Sequence, residues 1–577
     1  MINFFYEKEQ IPEELYEIYI KSIYKGKGDS GNLENQRGIF LSSTILKLKE
    51  KMILNRAEPK IETGMSRYQA GGRKNHSIKD QVFIVRSIIS IHKYFNQNLI
   101  MEFIDLRKAF DKMVLKNVMQ NLWEIGVKGR IWRMIYCINK KATIKIKSSL
   151  GTTDEFIIGD ILKQGSVLAA NLAALHTDTV SKRFENTGLG VRYGEELIPL
   201  LLYQDDIVKF DTKIENMQKS NIILEIFQNE NRMEYHPSKS VLMTNIKNQE
   251  PIKLNNINVP VVEEYKYLGD LINMDNNLIN MINERKNAIN GTVAEIVSIT
   301  SETRQFSLIA AIQYMNGIIA PKLFLNAETW HPISLPEMNL LEQTYSQSVK
   351  RLLHLPFSTP TKGLYNELGL QSAKYQILSK KLMYVHKIWN KCDQSLIKNL
   401  IKEQISMPGD TWIKSIQEEL ELIKGNPTIN ELSQYSKPQW KRIIQQHVRE
   451  KEQEEFRKWA SESKKCSHLQ NSPFKTKSYI QEFSPRIAKI VLEIRLGLID
   501  VKTNFTNKHE DKICRNCNNE DETTKHFIEC LTSEENKTKL KHYDQIYQMK
   551  NMKDLKEAAE HIFETLINNK FFTYKEI

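Results

Sequence analysis

Two short apolar runs, each ending in acid, constrain this chain more than any other feature. Leu99-Ile100-Met101-Glu102-Phe103-Ile104 has the length and composition of a buried strand, and it ends in Asp105. About a hundred residues later, Leu200-Leu201-Leu202-Tyr203 and Ile207-Val208-Lys209-Phe210 flank Gln204-Asp205-Asp206. That pattern predicts a β-hairpin with adjacent carboxylates at its tip. A helix is expected after each run. Leu115, Val118, Met119 and Leu122 share one face of the first, which Gly126 is placed to end, and Ile214, Met217, Leu224 and Phe227 share one face of the second. Strands interleaved with helices predict an α/β or α+β fold here. Beyond about Met281 the helical period takes over: Leu341, Tyr345, Val349 and Leu352 fall on one face, and Pro356 closes that segment. Trp330, Trp389, Trp412, Trp440 and Trp459 are expected in the core. Residues 447–465, charged at eleven of nineteen positions, read as a solvated helix face.

Composition narrows the classes. The 577 residues exceed what one compact core holds, so several domains are expected. Gly and Pro together are 39 residues, about 7% against the ~12% of average usage, which disfavours long flexible linkers. Six cysteines are too few for a disulfide framework and point to a reducing, intracellular compartment. No apolar run approaches the ~18 residues of a membrane span, and the acid-bearing N-terminus is unlike a signal peptide, so no membrane partner is expected. The net charge of +12 suits a polyanionic partner such as nucleic acid, although many soluble proteins are mildly basic.

Adjacent acids between apolar strands repel each other, and divalent cations relieve that repulsion. Asp105, Asp205 and Asp206, brought together from neighbouring strands, would suit two Mg²⁺ ions, which prefer oxygen ligands. Such a pair activates an attacking 3′-hydroxyl and stabilises a pyrophosphate leaving group. The alternative for Asp205-Asp206 is a plain type I′ turn. Near the C-terminus, Cys514-x2-Cys517-x8-His526-x3-Cys530 packs four ligands into seventeen residues. That set suits a closed, structural Cys₃His zinc site, with a coincidental cluster as the alternative. Cys137, Cys392 and Cys466 read as ordinary thiols, and His468 as incidental.

The residues now carry a resemblance. Phe103-Ile104-Asp105-Leu106-Arg107-Lys108-Ala109-Phe110-Asp111 resembles the first catalytic motif of reverse transcriptases, particularly those of non-LTR (LINE-type) retrotransposons, and Tyr203-Gln204-Asp205-Asp206 resembles their Tyr-x-Asp-Asp box. Other motifs follow the family's order. Tyr24-Lys25-Gly26-Lys27-Gly28-Asp29 with Asn35-Gln36-Arg37-Gly38-Ile39 is similar to the fingers motif. Gln69-Ala70-Gly71-Gly72-Arg73 with Ser77 and Asp80 is similar to the Gln-x-Gly-x-Arg block. Lys163-Gln164-Gly165-Ser166 is similar to the Gln-Gly motif. His236-Pro237-Ser238-Lys239 stands at the Asn-x-x-Lys motif, and Glu264-Tyr265-Lys266-Tyr267-Leu268-Gly269 resembles the primer grip. The resemblance spans roughly residues 10 to 290.

It implies an α+β right-hand polymerase, with fingers at 1–98, palm at 99–280, helical thumb at 281–400, a helical C-terminal region at 401–505, and a zinc segment with tail at 506–577. It implies an RNA-directed DNA polymerase that extends a primer 3′-hydroxyl on an RNA template. Asp105, Asp205 and Asp206 would ligate two Mg²⁺ ions, and Lys27 and Arg37 would hold the triphosphate. Phe110 would exclude a ribose 2′-hydroxyl, Gln164 would line the nucleotide pocket, and Lys239 would assist pyrophosphate departure. Tyr267, Leu268 and Gly269 would grip the primer. The implied partners are an RNA template, a DNA primer or nicked target DNA and deoxynucleotides; since the chain opens near the edge of the fingers, the priming end is expected from a pre-existing end or a separate endonuclease, the alternative being a truncated element. A nuclear location is the corresponding expectation. The Cys/His segment, with Lys525, Lys537, Lys539 and Lys541, is similar to a nucleic-acid-binding segment of the family. Ala169-Ala170 departs from the usual Ser-Pro, and Gln204 from the usual Ala. Two alternatives stay open: an inactive nucleic-acid-binding remnant and an RNA-templated RNA polymerase.

Overall fold

The computed structural model describes residues 9, 17–26, 28–106, 112–140, 143–148, 151–157, 162–163, 165–236, 239–247, 250–300, 306–391, 395–505, 509–532, 540 and 542–569. The chain forms two compact units. The first comprises residues 1–277 and 391–409, the second residues 278–390 and 410–577.

The first unit is α+β. Its central sheet is antiparallel and four-stranded, in the order Val241–Thr244, Ile100–Asp105, Asp206–Asp211, Leu200–Tyr203. Residues alternate between its faces. Ile100, Ile104, Leu200, Leu202, Ile207 and Leu242 pack with the helices Thr44–Gly64, Leu115–Glu124, Ala169–Lys182 and Ile214–Asn231 in one core cluster. Leu115, Val118, Met119 and Leu122 are all buried in it, and Gly126 (φ +84°) follows the helix end in the left-handed conformation. Burying each such aliphatic side chain contributes about 1.5–3 kcal/mol before chain entropy is set against it.

One charged pair interrupts this apolar face. Glu102 and Lys209 are cross-strand partners, 0% exposed, with Lys209 Nζ 2.9 Å from Glu102 Oε2. Lys209 Nζ also donates to Ser220 Oγ (2.7 Å) and to Asn221, whose Nδ2 donates back to Glu102 Oε1 at 3.2 Å. A one-residue slip between these strands would bury both charges without partners, so the pair locks the register that sets Asp206 opposite Asp105.

A five-stranded sheet is built around Glu17–Tyr24, which runs antiparallel to Gln36–Leu41 and parallel to Thr143–Ser148; the last also pairs with Gly151–Thr152 and Phe156–Ile157. Helix Leu396–Ser406 also belongs to this unit and packs on helix Ile78–Tyr94, where Gln404 Nε2 donates to Ser87 Oγ at 2.9 Å. The boundary expected between 400 and 401 thus falls inside a helix. The chain leaves the second unit at 390 and returns to it at 410.

The second unit is helical. Leu341, Tyr345, Val349 and Leu352 line the inner face of helix Leu335–Leu352 and are 0% exposed. That helix opens on a capping box between Ser334 and Glu337. Trp330, Trp412 and Trp440 are buried, while Trp389 and Trp459 are half-buried. The charged stretch lies in helix Lys437–Glu462. It buries His447, Val448, Glu452, Phe456 and Ala460 along one stripe, so even this segment has an inward face.

Candidate active site

Asp105 sits where the buried central strand reaches solvent. Hydrogen-bonded pairing sets Asp206 directly opposite it, and Asp206 also pairs with Tyr203 across a loop of Gln204 and Asp205. Asp205 therefore occupies the turn, and Asp206 is already the first residue of the returning strand. Only Gln204 of the two loop residues has positive φ (+60°), whereas a type I′ turn needs both. The hairpin is therefore not a type I′ turn. A non-glycine residue is held left-handed at its tip.

Asp205 and Asp206 are both perturbed by this setting. Burial, with the neighbouring Asp205 and Asp105 charges, pushes Asp206 up to about 7. Asp205 is also raised, chiefly by burial and further by Asp105, while its own backbone amide and the Arg37 guanidinium pull the other way. Arg37 lies on strand Gln36–Leu41 and is the cation whose charge reaches Asp205. Lys239 Nζ lies 3.4 Å from Asp105 Oδ2. The backbone sets that lysine in place: His236 N donates to Asp105 O (2.8 Å), and Lys239 N to His236 O (3.1 Å).

A second hairpin, Glu264–Tyr267 with Asp270–Asn273, covers the carboxylate face. Leu268 (φ +48°) and Gly269 (φ +88°) form its loop, both left-handed as a type I′ turn requires. Tyr265 stacks on Phe103, with centroids 4.6 Å apart and planes 27° apart, and Tyr267 lies 5.5 Å from the same ring. Phe103 is two residues before Asp105 and so shares its face. Burial and the Asp206 and Asp105 charges push Tyr265 up to about 12. Buried Asp270 anchors the hairpin through Arg86 of helix Ile78–Tyr94 at 3.0 Å.

The structure thus brings together Asp105, Asp205, Asp206, Arg37, Lys239 and the Tyr267-Leu268-Gly269 hairpin. Lys27, Phe110 and Gln164 lie outside the described residues. Beside Gln164, Gly165 has φ +108°, and a Cβ there would lie 2.8 Å from Phe40 O. Several supports had no role assigned from the sequence. Glu50 is buried on helix Thr44–Gly64 and accepts from Ser166 Oγ (3.0 Å) and Val167 N (2.8 Å), which holds the chain just after Gly165. Arg73 donates to Glu62 Oε2 (3.0 Å) and to the carbonyls of Ser66, Gln69 and Glu62, so it braces the loop. Tyr265 and Gln69 belong with them. Glu50 has no motif to mark it, while Tyr265 was detectable as the residue alternating with Tyr267. Ala169-Ala170 opens helix Ala169–Lys182, with Ala170 O against Gly72, where a Cβ would approach to 2.7 Å.

In the second unit, the ligand atoms of Cys514, Cys517, His526 and Cys530 lie within 4.8 Å of one another. A bridge between Ile513 and Asp521 closes the knuckle, and helix Thr524–Leu531 presents His526 and Cys530 four residues apart on one face. Glu520 Oε2 is 3.0 Å from His526 Nδ1, so His526 Nε2 is the nitrogen turned to Cys517 Sγ at 3.3 Å. A carboxylate behind a ligating imidazole is a common arrangement at zinc. Backbone amides of Glu520 and Asn519 bring the Cys517 thiol down to about 6. Three thiols and an oriented imidazole fit a tetrahedral zinc ion. Lys525 is described, and Lys537, Lys539 and Lys541 lie outside the described residues. Among the described residues, no helix is long and apolar enough to cross a membrane.

Comparison with known proteins adds four findings. Residues 24–271 match the family described as reverse transcriptase (RNA-dependent DNA polymerase). Over 351 residues the chain is 22% identical to the retrovirus-related Pol polyprotein from type-1 retrotransposable element R2 of Popillia japonica. That match covers 59% of this chain and 48% of the relative, so the chain spans about half the relative's length. Among solved structures, it is similar to telomerase from Candida albicans in complex with a fragment of telomeric RNA (TM-score 0.36, 11% identity, 74% of this chain and 68% of that one). It is also similar to apo telomerase from Candida tropicalis (TM-score 0.36, 12% identity, 68% and 70%).

Proposed function

Residues 24–271 are a reverse transcriptase domain, and from that premise we propose that the chain is an RNA-directed DNA polymerase of the non-LTR retrotransposon kind. The observation that carries the reading is the cross-strand pairing of Asp105 with Asp206, with Asp205 in the adjoining turn. Burial and the neighbouring carboxylate charges raise the proton affinity of Asp205 and Asp206, and such a cluster calls for cations. They would hold two Mg²⁺ ions, which supply Lewis acidity at the attacking and leaving oxygens.

The chain's own residues would do the rest. Arg37, with Lys27, binds the triphosphate, for which a guanidinium offers bidentate donors. Lys239, beside Asp105, would place a proton donor near the leaving pyrophosphate. Phe110 would exclude a 2′-hydroxyl and Gln164 line the nucleotide pocket. Tyr267, Leu268 and Gly269 would hold the primer end against the carboxylate face. In this reading the segments 1–98 and 99–280 act as fingers and palm, and the helical stretch that opens the second unit acts as thumb. An RNA template, a DNA primer or nicked target DNA and deoxynucleotides are the partners, a separate nuclease supplies the priming end, and the site of action is the nucleus.

Primer extension on an RNA template with Mg²⁺, run with deoxy- and ribonucleotides in parallel, tests the reading. Deoxynucleotide incorporation that disappears in the Asp205→Ala/Asp206→Ala variant is the expected result. Equal incorporation by variant and wild type would sink the mechanism. Preference for ribonucleotides would make the chain an RNA-templated RNA polymerase, and RNA binding without incorporation would make it a remnant.

We also propose that Cys514, Cys517, His526 and Cys530 hold a structural zinc ion. Chain purified without chelators is expected to carry about one zinc by elemental analysis. Cys517→Ser or Cys530→Ser is expected to lose most of it and to open residues 509–532 to protease, because structural zinc supplies folding free energy directly. Metal-free wild type with the same protease resistance would refute the site.

A further inference from the structure

We infer that Gln69 is a positioning residue for the carboxylate cluster: its side-chain amide holds the turn that presents Asp205 and Asp206. The inference rests on the polymerase reading for its consequences, but its geometry stands apart from it. Residues 68–70 run alongside the outer strand of the catalytic hairpin. There Leu202 N donates to Tyr68 O (2.9 Å), and Ala70 N donates to Leu202 O (2.9 Å). Gln69 lies between them, 0% exposed.

A primary amide offers two donors and two acceptor lone pairs, and all four positions are used here. Oε1 accepts from Gly71 N (2.8 Å) and from Gln204 N (3.1 Å). Nε2 donates to Ala174 O and to Thr177 Oγ1, both at 3.2 Å, on helix Ala169–Lys182. Gln204 N is the first amide of the hairpin loop, outside the ladder that pairs Tyr203 with Asp206. Left to itself it would need water or another partner. Gln69 supplies the partner and ties it to a helix of the core.

Two further facts point the same way. Gln204 is a non-glycine residue held at φ +60°, a conformation that costs on the order of its neighbours' stabilising contacts and persists only where the surroundings over-determine it. Gly71 is where the chain must come closest: a Cβ there would stand 2.3 Å from Gln204 N. Next to it, Asn171 Nδ2 donates to Gly72 O (2.6 Å) and pins the same segment to the helix. The Gln-Ala-Gly-Gly stretch is thus a brace between helix and turn. Without it the turn can relax, and Asp205 and Asp206 shift relative to Asp105. A displacement of about 1 Å at reacting groups costs up to about 100-fold in rate.

The test uses the full chain and two readouts. Mn²⁺ binding is followed by electron paramagnetic resonance, with the Asp205→Ala/Asp206→Ala variant subtracted as background. Gln69→Met keeps the length and removes every hydrogen bond. It is expected to weaken carboxylate-dependent Mn²⁺ binding about tenfold and to lower kcat by about tenfold or more, with the KM for deoxynucleotide unchanged. A loss of folded protein alone would lower the number of sites but leave their affinity unmoved. Wild-type Mn²⁺ affinity in folded Gln69→Met overturns the inference. Should that variant not fold, Gly71→Ala replaces it, since its methyl presses on the same Gln204 amide; wild-type affinity there overturns the inference equally. The two readings fail separately. A wild-type chain that binds Mn²⁺ but makes no DNA defeats the polymerase reading and leaves the brace standing. Full synthesis by Gln69→Met does the reverse.

Discussion

Asp206→Asn is expected to abolish nucleotide incorporation and, in the absence of divalent ions, to raise the melting temperature of the first unit. The loss follows from removing a metal ligand whose ions supply several kcal/mol of charge stabilisation, on the order of 10³-fold in kcat. The gain follows from electrostatics. Burial and the Asp205 and Asp105 charges hold the Asp206 proton until about pH 7, far above the ordinary carboxylate range. A carboxyl whose folded pKa is raised contributes stability that is fully present below the unfolded value, near 4, and lost as pH rises toward 7. Wild type therefore bears the full repulsion at pH 8, and the asparagine variant does not. The difference in melting temperature should be large at pH 8 and vanish near pH 4. Mg²⁺ should reverse the order, because it stabilises only the form that binds it. Calorimetry at the two pH values, with and without Mg²⁺, reads all of this. A variant that melts below wild type at pH 8 without metal would contradict the electrostatic account.

The second large effect is in the helical unit. Arg495→Ala should destabilise it by about 3–5 kcal/mol, because the change leaves a buried carboxylate without its cation. Arg495 is 1% exposed and Glu367 0%. Arg495 Nε donates to Glu367 Oε2 (2.9 Å) and an Nη to Oε1 (2.8 Å), while the other Nη reaches the carbonyls of Ile546 (2.6 Å) and Tyr547 (3.1 Å). Tyr479 OH donates to the same carboxylate at 2.9 Å. One guanidinium thus joins helix Thr361–Leu368, helix Pro485–Arg495 and the segment near 546. Burial raises the Glu367 carboxyl, but the Arg495 charge and hydrogen bonds outweigh it and leave the group below its usual range. Arg495→Lys should also fail, since an ammonium cannot form the two-point contact and still reach both carbonyls. The Arg495→Met/Glu367→Leu double variant should recover much of the loss, because the penalty comes from an unpaired buried charge. Urea midpoints measure the cycle. A single-variant loss under about 1 kcal/mol would show that water reaches the pair.

Much of this was legible along the chain. Strand alternation and helical period are local, and they name the buried side of each element from its own residues. The apolar run into Asp105, the runs around Asp205 and Asp206, the inner stripe of helix Leu335–Leu352 and the spacing of the cysteines are all of this kind. Motif order added the family resemblance. The turn geometry was less legible. Nothing in the residue type of Gln204 marks its role, yet its backbone conformation and amide set where Asp205 stands. Leu268 at φ +48° gave no composition signal, because leucine is an unusual left-handed residue. The return of residues 391–409 to the first unit was equally hidden.

What the sequence determined by itself is therefore which faces are apolar, which acids end the strands, and which cysteines and histidine stand at ligand spacing. What only the tertiary structure decided is partnership. Gln69 with Gln204, Glu102 with Lys209, Glu50 with Val167 and Arg495 with Glu367 join residues on different segments of the chain. Short-range periodicity carries no information about which distant donor meets which acceptor. That depends on strand register and on how the segments close, and burial then makes each such pair obligatory by removing the water that would otherwise satisfy it.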